Sequence, residues 1–300
     1  MHIAYLILAH AQPEMLARLV ARLHGPDTSI FVHVDAKTRD FRPDVPGDVV
    51  FVEDRVSVNW AGFSSIRATY RLLEAAERSG ADRFVLLSGA DYPLVTQDAV
   101  RERLAPDMEY IMVGHRLDPE GNGQFDRRAN QFYLCDVRSL NPRDGLPVLR
   151  DVAGKVRRFM PRRRFDMQVY YGPVWWTLTR DGVAHLMKVR REHPEWIEAF
   201  KYTMAPDEMV FQTLLKASDR PIAFDVVEGG FVPPPHCAAL HHVNWTKPNP
   251  RLPRVMEMED AEDLWASDAL FARKMDLRRS AELMDQIDVR LGLREAVPVG

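Results

Sequence analysis

The chain opens on an unbroken apolar run, Ile3-Ala-Tyr-Leu-Ile-Leu-Ala9, and then changes period. A continuous apolar run of this length predicts a strand buried on both faces. After Pro13 the apolar positions Met15, Leu16, Leu19, Val20 and Leu23 fall on one helical stripe. Further strands are predicted over 29–34, 49–53 and 83–88, and a helix over 64–78 with Ile66, Tyr70, Leu73 and Ala76 inward. Strands alternating with helices predict an α/β fold with a mostly parallel central sheet and helices on both faces. In such sheets ligands collect at the carboxyl ends of the strands. His10, Asp35, Ser88 and Asp91 fall at such ends.

The middle of the chain has a different texture. A strand is predicted over 110–113, a polar, glycine-containing loop over 116–131, and a Pro-, Gly- and Arg-rich stretch over 136–151. Residues 155–164 carry Lys155, Arg157, Arg158, Arg162, Arg163 and Arg164. Such a run is a solvated face, or a surface for an anionic substrate or an acidic membrane. A strand over 170–179 follows, with Trp175 and Trp176 alternating across it, so that one faces the core and the other a cleft. A helix over 181–191 leads to the stretch 201–216, where Pro206 reads as the first helical residue and Val210, Phe211, Leu214 and Leu215 as the buried stripe. Asp207 and Glu208 then lie in the first turn, at the positive end of the helix dipole, which favours their ionised forms. A carboxylate held there suits a general base that deprotonates a hydroxyl, although acidic residues also favour helix starts for structural reasons alone. Proline-rich loops at 233–235 and 246–250 flank a strand over 240–245; helices are expected over 259–266 and 283–291, with a loose end.

Composition narrows the class. Three hundred residues, 46% hydrophobic and 28% charged, describe a globular protein of one large domain or two small ones. A net charge of -3 argues against a general nucleic-acid binder, which needs a basic surface to neutralise phosphates. Cys135 and Cys237 match no metal-ligand spacing and suggest a reducing compartment ahead of a single disulfide. The opening apolar run lacks a basic leader and a cleavage site, and no stretch is long enough to span a bilayer. The expectation is a cytoplasmic protein, with 155–164 as a surface that could lean on the inner membrane face.

Seven short motifs then occur in order: Tyr5-Leu-Ile-Leu-Ala-His10, His33-Val-Asp-Ala-Lys37, Asn59-Trp-Ala-Gly-Phe-Ser64, Leu87-Ser-Gly-Ala-Asp-Tyr-Pro-Leu94, Trp175-Trp-Thr-Leu-Thr179, Pro206-Asp-Glu208 and Leu270-Phe-Ala-Arg-Lys-Met-Asp276. As a set they resemble the core-2/I-branching glycosyltransferases, the family that also holds the peptide xylosyltransferases. The resemblance implies one GT-A-like domain over 1–300, with a nucleotide-binding half at 1–114 and an acceptor and catalytic half at 115–300. It further implies an inverting mechanism, a UDP-sugar donor such as UDP-N-acetylglucosamine or UDP-xylose, and a glycan or glycoconjugate acceptor. Carried over by motif, Glu208 matches the catalytic base, Asp35 a uridine contact and Lys274 the lysine that neutralises the departing diphosphate. His10, Ser88, Asp91 and Arg254 join the donor side, and Trp175, Trp176 and Asp207 the acceptor side.

The residues carry one independent check. Many GT-A enzymes hold a divalent metal through Asp-X-Asp, and this chain has none, only the looser Asp-X-Glu triplets at Asp107, Asp118 and Asp260. Cationic side chains serve the same electrostatic role, so no metal cofactor is expected, and Lys274 with Arg273, aided by Arg251 or Arg254, would stabilise the diphosphate. The sequence departs from the family where an arginine is expected shortly before Trp245: His241 and His242 stand there, only partly charged at neutral pH. The disulfide framework and anchor of the eukaryotic members are also missing, which fits a bacterial-type enzyme. Two rival readings are a non-catalytic UDP-sugar- or glycan-binding protein on the same fold, and a metal-dependent hydrolase using His236, His241 and His242.

Overall fold

A computed structural model describes residues 1–229, 231–245 and 253–293. The opening apolar run is β1 (Ile3–Ala9), paired with β2 and β4 and packed on both faces, and the packing is why it tolerates no polar position. Pro13 stands at the start of α1 (Pro13–Leu23), where its missing N–H costs nothing. There follow β2 (Thr28–Val34), β3 (Val49–Phe51), α2 (Ser64–Ala76), β4 (Arg83–Ser88), β5 (Asp91–Pro93) and α3 (Gln97–Arg103). The middle supplies β6 (Glu109–Val113), β7 (His115–Arg116), α4 (Gln124–Asn130), α5 (Pro147–Arg157) and β8 (Tyr170–Tyr171). Then come β9 (Trp176–Thr179), α6 (Arg180–Glu192), α7 (Pro194–Glu198), α8 (Val210–Lys216) and β10 (Ile222–Asp225). The last described elements are β11 (Cys237–Ala238), β12 (His241–Val243), α9 (Ala261–Trp265), β13 (Phe271–Arg273) and α10 (Ala281–Arg290).

The main sheet runs β10-β6-β9-β4-β1-β2-β3, parallel except for β9, which is antiparallel to both neighbours. It draws strands from both sides of residue 114. One face packs Leu6, Phe84 and Leu86 against α2, α6 and α8; the other packs Tyr5, Ile7 and Leu87 against α1 and α3. The alternation of side chains along β1 and β4 thus divides the core into two layers. A second sheet, β11-β12-β13-β5, sits at the end of β4, joined to it by the turn Ser88–Asp91.

Several expectations are corrected. The loop expected over 116–131 contains α4, started by a Gly123–Asp126 capping arrangement, and the Arg-rich stretch contains α5. The strand expected over 170–179 is two short ones, broken at Gly172, where an added Cβ would collide with the Met112 carbonyl. The helix expected to start at Pro206 does not: Pro206–Glu208 is a separate 3-10 turn, and Met209, at φ -138, breaks it from α8. The loop at 246–250, Arg251 and the chain end beyond 293 lie outside the described residues.

Although far apart in sequence, α1 and α10 are pinned by one buried carboxylate. Asp288, 1% exposed, accepts from Arg18 at 2.7 Å, Arg22 at 2.8 Å and the Tyr92 hydroxyl at 2.7 Å. Burial opposes its charge, yet the two guanidiniums and the phenol hold its pKa below the ordinary aspartate value. Removing it leaves Arg22 without its carboxylate, while Arg18 keeps Asp285, so Asp288→Ala is expected to cost about 2–4 kcal/mol in urea unfolding at neutral pH. Because the folded pKa is depressed, that deficit should shrink as pH falls from about 4, where the unfolded chain's aspartate protonates, through the lower native pKa.

Candidate active site

The donor side forms where β1, β2 and β4 end. Asp35, buried at the end of β2, takes the Lys37 amide at 2.8 Å and the Lys37 ammonium at 2.7 Å. Its own amide donates to the Ala9 carbonyl at 2.8 Å, tying the ends of β1 and β2 together. His10 follows β1, and partial desolvation, then the nearby Lys274 charge, lower its pKa, with Asp35 opposing, which favours the neutral imidazole.

Beyond β4, Asp91 has no exposed surface. Its carboxylate accepts from the Ser88 amide at 2.7 Å, the Ser88 hydroxyl at 2.8 Å and Arg273 Nη1 at 2.8 Å, and lies 3.5 Å from His241 Nε2. Arg273, so anchored, lies over the Trp175 ring at 4.5 Å, and His241 stacks on the same indole at 5.1 Å. A cleft of about 120 Å³ opens here, lined by His10, Gln12, Ser88, Arg273, Lys274 and Asp276. The two cations sit on the side where an anionic ligand would need them.

The turn that carries Asp207 and Glu208 is built differently. Ala205, at φ 56, turns the chain ahead of Pro206, and its amide donates at 2.9 Å to Ala61, itself at φ 55. Two alanines in the left-handed region are costly backbone. Gly172 donates to the Glu208 carbonyl at 2.9 Å, which fixes the turn against β8. Glu208 Oε2 meets Arg128 Nη1 at 2.7 Å, with its side chain 22% exposed, and the Tyr171 phenol lies close enough to lower the carboxyl's pKa. Arg128 lies 5.5 Å over Phe125 and 5.8 Å over Tyr171, whose rings stack at 4.0 Å.

Burial pushes the Glu208 carboxyl up to about 7, with the Asp207 charge adding and Arg128 opposing. Asp207, beside it, is pushed up to about 6 by burial, against a Ser65 hydrogen bond. This corrects the expectation that a helix dipole favours the ionised forms: the turn is severed from α8, and desolvation outweighs what remains of the dipole.

The sequence candidates therefore fall into distinct settings. His10, Ser88 and Lys274 line the small cleft, with Asp35 at its β2 edge. Asp91 acts through Arg273. Trp176, 1% exposed, packs against Phe211 in the core, and Trp175, 8% exposed, is covered by Arg273 and His241. Arg254 is buried and paired with Asp260 at 3.1 Å and with Glu259. Of the three histidines, His241 faces Trp175 and Asp91. His242, one residue on, faces away with His236 toward a separate cavity of about 390 Å³. No three His, Cys, Asp or Glu side chains converge as a metal-binding group among the described residues. In the Asp107 triplet, Asp107 is ion-paired with Arg220 and Glu109 is fully buried beside it.

Three contributors were not legible as candidates: Arg128, Tyr171 and Ser65. Reading 116–131 as loop hid the helical spacing that sets Phe125 and Arg128 on one face of α4.

Residues 3–264 match the Core-2/I-Branching enzyme family, and the chain belongs to it. Its mixed sheet flanked by helices is the GT-A-like fold of these glycosyltransferases. It is 24% identical over 323 residues to beta-glucuronosyltransferase GlcAT14B of Arabidopsis thaliana, covering 97% of this chain and 66% of the relative. Identity is 23% over 232 residues to the human beta-1,3-galactosyl-O-glycosyl-glycoprotein beta-1,6-N-acetylglucosaminyltransferase, covering 73% and 49%. Against human xylosyltransferase 1 it is 25% over 314 residues, covering 96% and 30%. The chain thus spans 30% to 66% of the length of these relatives.

A carboxyl held near 7 destabilises the fold once it ionises. Stability from this group is full below about pH 4 and declines as pH rises through about 7. Glu208→Gln is therefore expected to be more stable than the native chain at pH 8, by about 1–3 kcal/mol after allowing for partial exposure, and nearly equal to it at pH 4. Paired urea titrations at the two pH values measure this, and equal stability at pH 8 would contradict the desolvated setting.

Proposed function

We propose that the chain is an inverting, metal-independent glycosyltransferase. It moves a sugar, N-acetylglucosamine or xylose, from a UDP-sugar to a hydroxyl of a glycan or glycoconjugate. The observation that carries this reading is Glu208: a carboxylate on a rigid turn, half-buried, oriented by Arg128 and Tyr171, with a pKa near the working pH. Such a group ionises readily at neutrality yet remains a stronger base than an exposed glutamate.

In the proposed step Glu208 takes the proton of the acceptor hydroxyl as its oxygen attacks the anomeric carbon. The new C–O bond forms on the face opposite UDP. The bond to the diphosphate breaks, its electron pair leaving on the β-phosphate oxygen. Lys274 and Arg273 neutralise that charge, with Arg273 held in place by Asp91. Asp35 contacts the uridine, and neutral His10 lines the same cleft without competing for the phosphates. On the acceptor side the Phe125–Tyr171 stack beside Glu208 offers an aromatic face for a pyranose ring, and Trp175 supports the donor side through Arg273. The metal-independent part rests on these cations and on the lack of an Asp-X-Asp sequence.

The test is binding and turnover with UDP-N-acetylglucosamine, UDP-xylose and UDP-glucuronate, with and without a chelator; the last donor is included because two plant relatives are named as glucuronosyltransferases. One donor should bind and turn over in the presence of chelator. Glu208→Gln should lose about a thousandfold in turnover with binding kept, and Lys274→Ala about a hundredfold in kcat/KM. Absence of UDP-sugar binding would sink the assignment, and chelator-sensitive turnover would sink its metal-independent part.

The pH profile is a separate check. kcat/KM should rise with pH and level off above about 7, where Glu208 is ionised. Arg128→Met removes the cation that lowers this pKa, so the rising limb should move to higher pH. A limb that stays in place would mean another group titrates.

A further inference from the structure

The helix α5 turns its apolar side chains outward. None of its residues is buried. Val148 is 73% exposed, Val152 51%, Val156 54%, and Phe159, just past its end, 89%. Positions 148, 152, 156 and 159 share one helical face and form a stripe roughly 16 Å long. A helix on a globular protein ordinarily turns such a stripe toward the core.

Basic residues frame the stripe. Between 143 and 164 there are eight Lys and Arg against two Asp, in a chain whose net charge is -3. They divide by role. Arg157 donates to the Phe132 carbonyl at 2.9 Å and lies 3.9 Å over the Tyr133 ring. Arg163 bonds the Thr203 hydroxyl at 2.7 Å and the Ala199 carbonyl. Arg163 thus anchors the segment to the chain just ahead of the Pro206–Glu208 turn, and Arg157 anchors it to Phe132 and Tyr133. Lys155, Arg158 and Arg164 remain exposed. Trp60, 44% exposed, adds an indole at the Arg143 edge.

We infer that this face docks on an anionic lipid bilayer. An outward apolar stripe flanked by basic residues is the pattern of a helix that lies in the membrane interface, its apolar side chains below the headgroups and its cations among them. The indole suits the same boundary. A symmetric pairing with a second copy would set two such basic faces against each other, which charge repulsion opposes. No described helix is long and apolar enough to cross a membrane, so the contact is peripheral.

Co-sedimentation of the full chain with phosphatidylglycerol-rich vesicles, against pure phosphatidylcholine vesicles, tests this. The native chain should bind the anionic vesicles and release in high salt. Val152→Asp with Val156→Asp, and separately Lys155→Gln with Arg158→Gln, should each weaken binding about tenfold or more. All four side chains are exposed, so the melting temperature should not move. No binding to anionic vesicles, or binding indifferent to both double substitutions, would overturn the inference. So would a native self-association, seen by sedimentation velocity and lost in the aspartate variant, because the stripe would then be an interface between copies.

Discussion

The donor side depends on the burial of one charge. Asp91 has no access to water, and a carboxylate in that position persists only when paired and fully hydrogen-bonded. Its partners come from three elements: the Ser88 turn at the end of β4, Arg273 on β13 and His241 on β12. Burial opposes the ionised form, and the Arg273 charge, with help from His241 and the Ser88 amide, outweighs it. The consequence is geometric. Satisfying this carboxylate closes the small sheet onto the end of the large one and lays the guanidinium across Trp175. It also leaves Lys274 lining the cleft beside His10. A residue with no exposed surface therefore decides where the cations are.

The Pro206–Glu208 turn follows the opposite rule. Asp207 and Glu208 are half-buried side by side with one guanidinium between them and water, so their charges are incompletely compensated. The turn is held by backbone instead: Ala205 to Ala61, and Gly172 to Glu208. Left-handed alanines and under-compensated carboxylates both cost stability. Such costs gather at functional sites, where the surrounding packing enforces them. The Asp91 carboxylate is thus satisfied internally, whereas the Glu208 carboxylate is only partly compensated.

The two basic features of the molecule are likewise distinct. Arg273 and Lys274 border a narrow cleft, where low dielectric strengthens their field. The cations of 143–164 stand mostly in water, where each is weak alone and only the cluster, together with an apolar stripe, has a directed effect. Arg163 connects this surface to the chain that leads into the Pro206–Glu208 turn, and Arg157 connects it to Phe132.

The periodic part of the fold was legible in the chain itself. β1, α1, β2, α2 and β4 lie where the apolar pattern put them, because long runs of period two or 3.6 are local properties and burial on both faces admits no polar substitute. The positions of His10 and Asp35 were legible for the same reason, each at a strand end that the pattern marks, whereas Lys274 stood out only through its motif. The tertiary structure alone decided what those residues experience. The break at Met209 follows from Ala205 and Gly172 clamping the turn, and no stripe of side chains announces it. The raised pKa of Glu208 comes from burial by elements distant in sequence, as does its pairing with Arg128 across 80 residues. Trp175 reads as a sugar platform until Arg273 and His241 are seen to cover it. Period reports which face of an element is buried, whereas desolvation and pairing depend on what arrives from elsewhere to bury it.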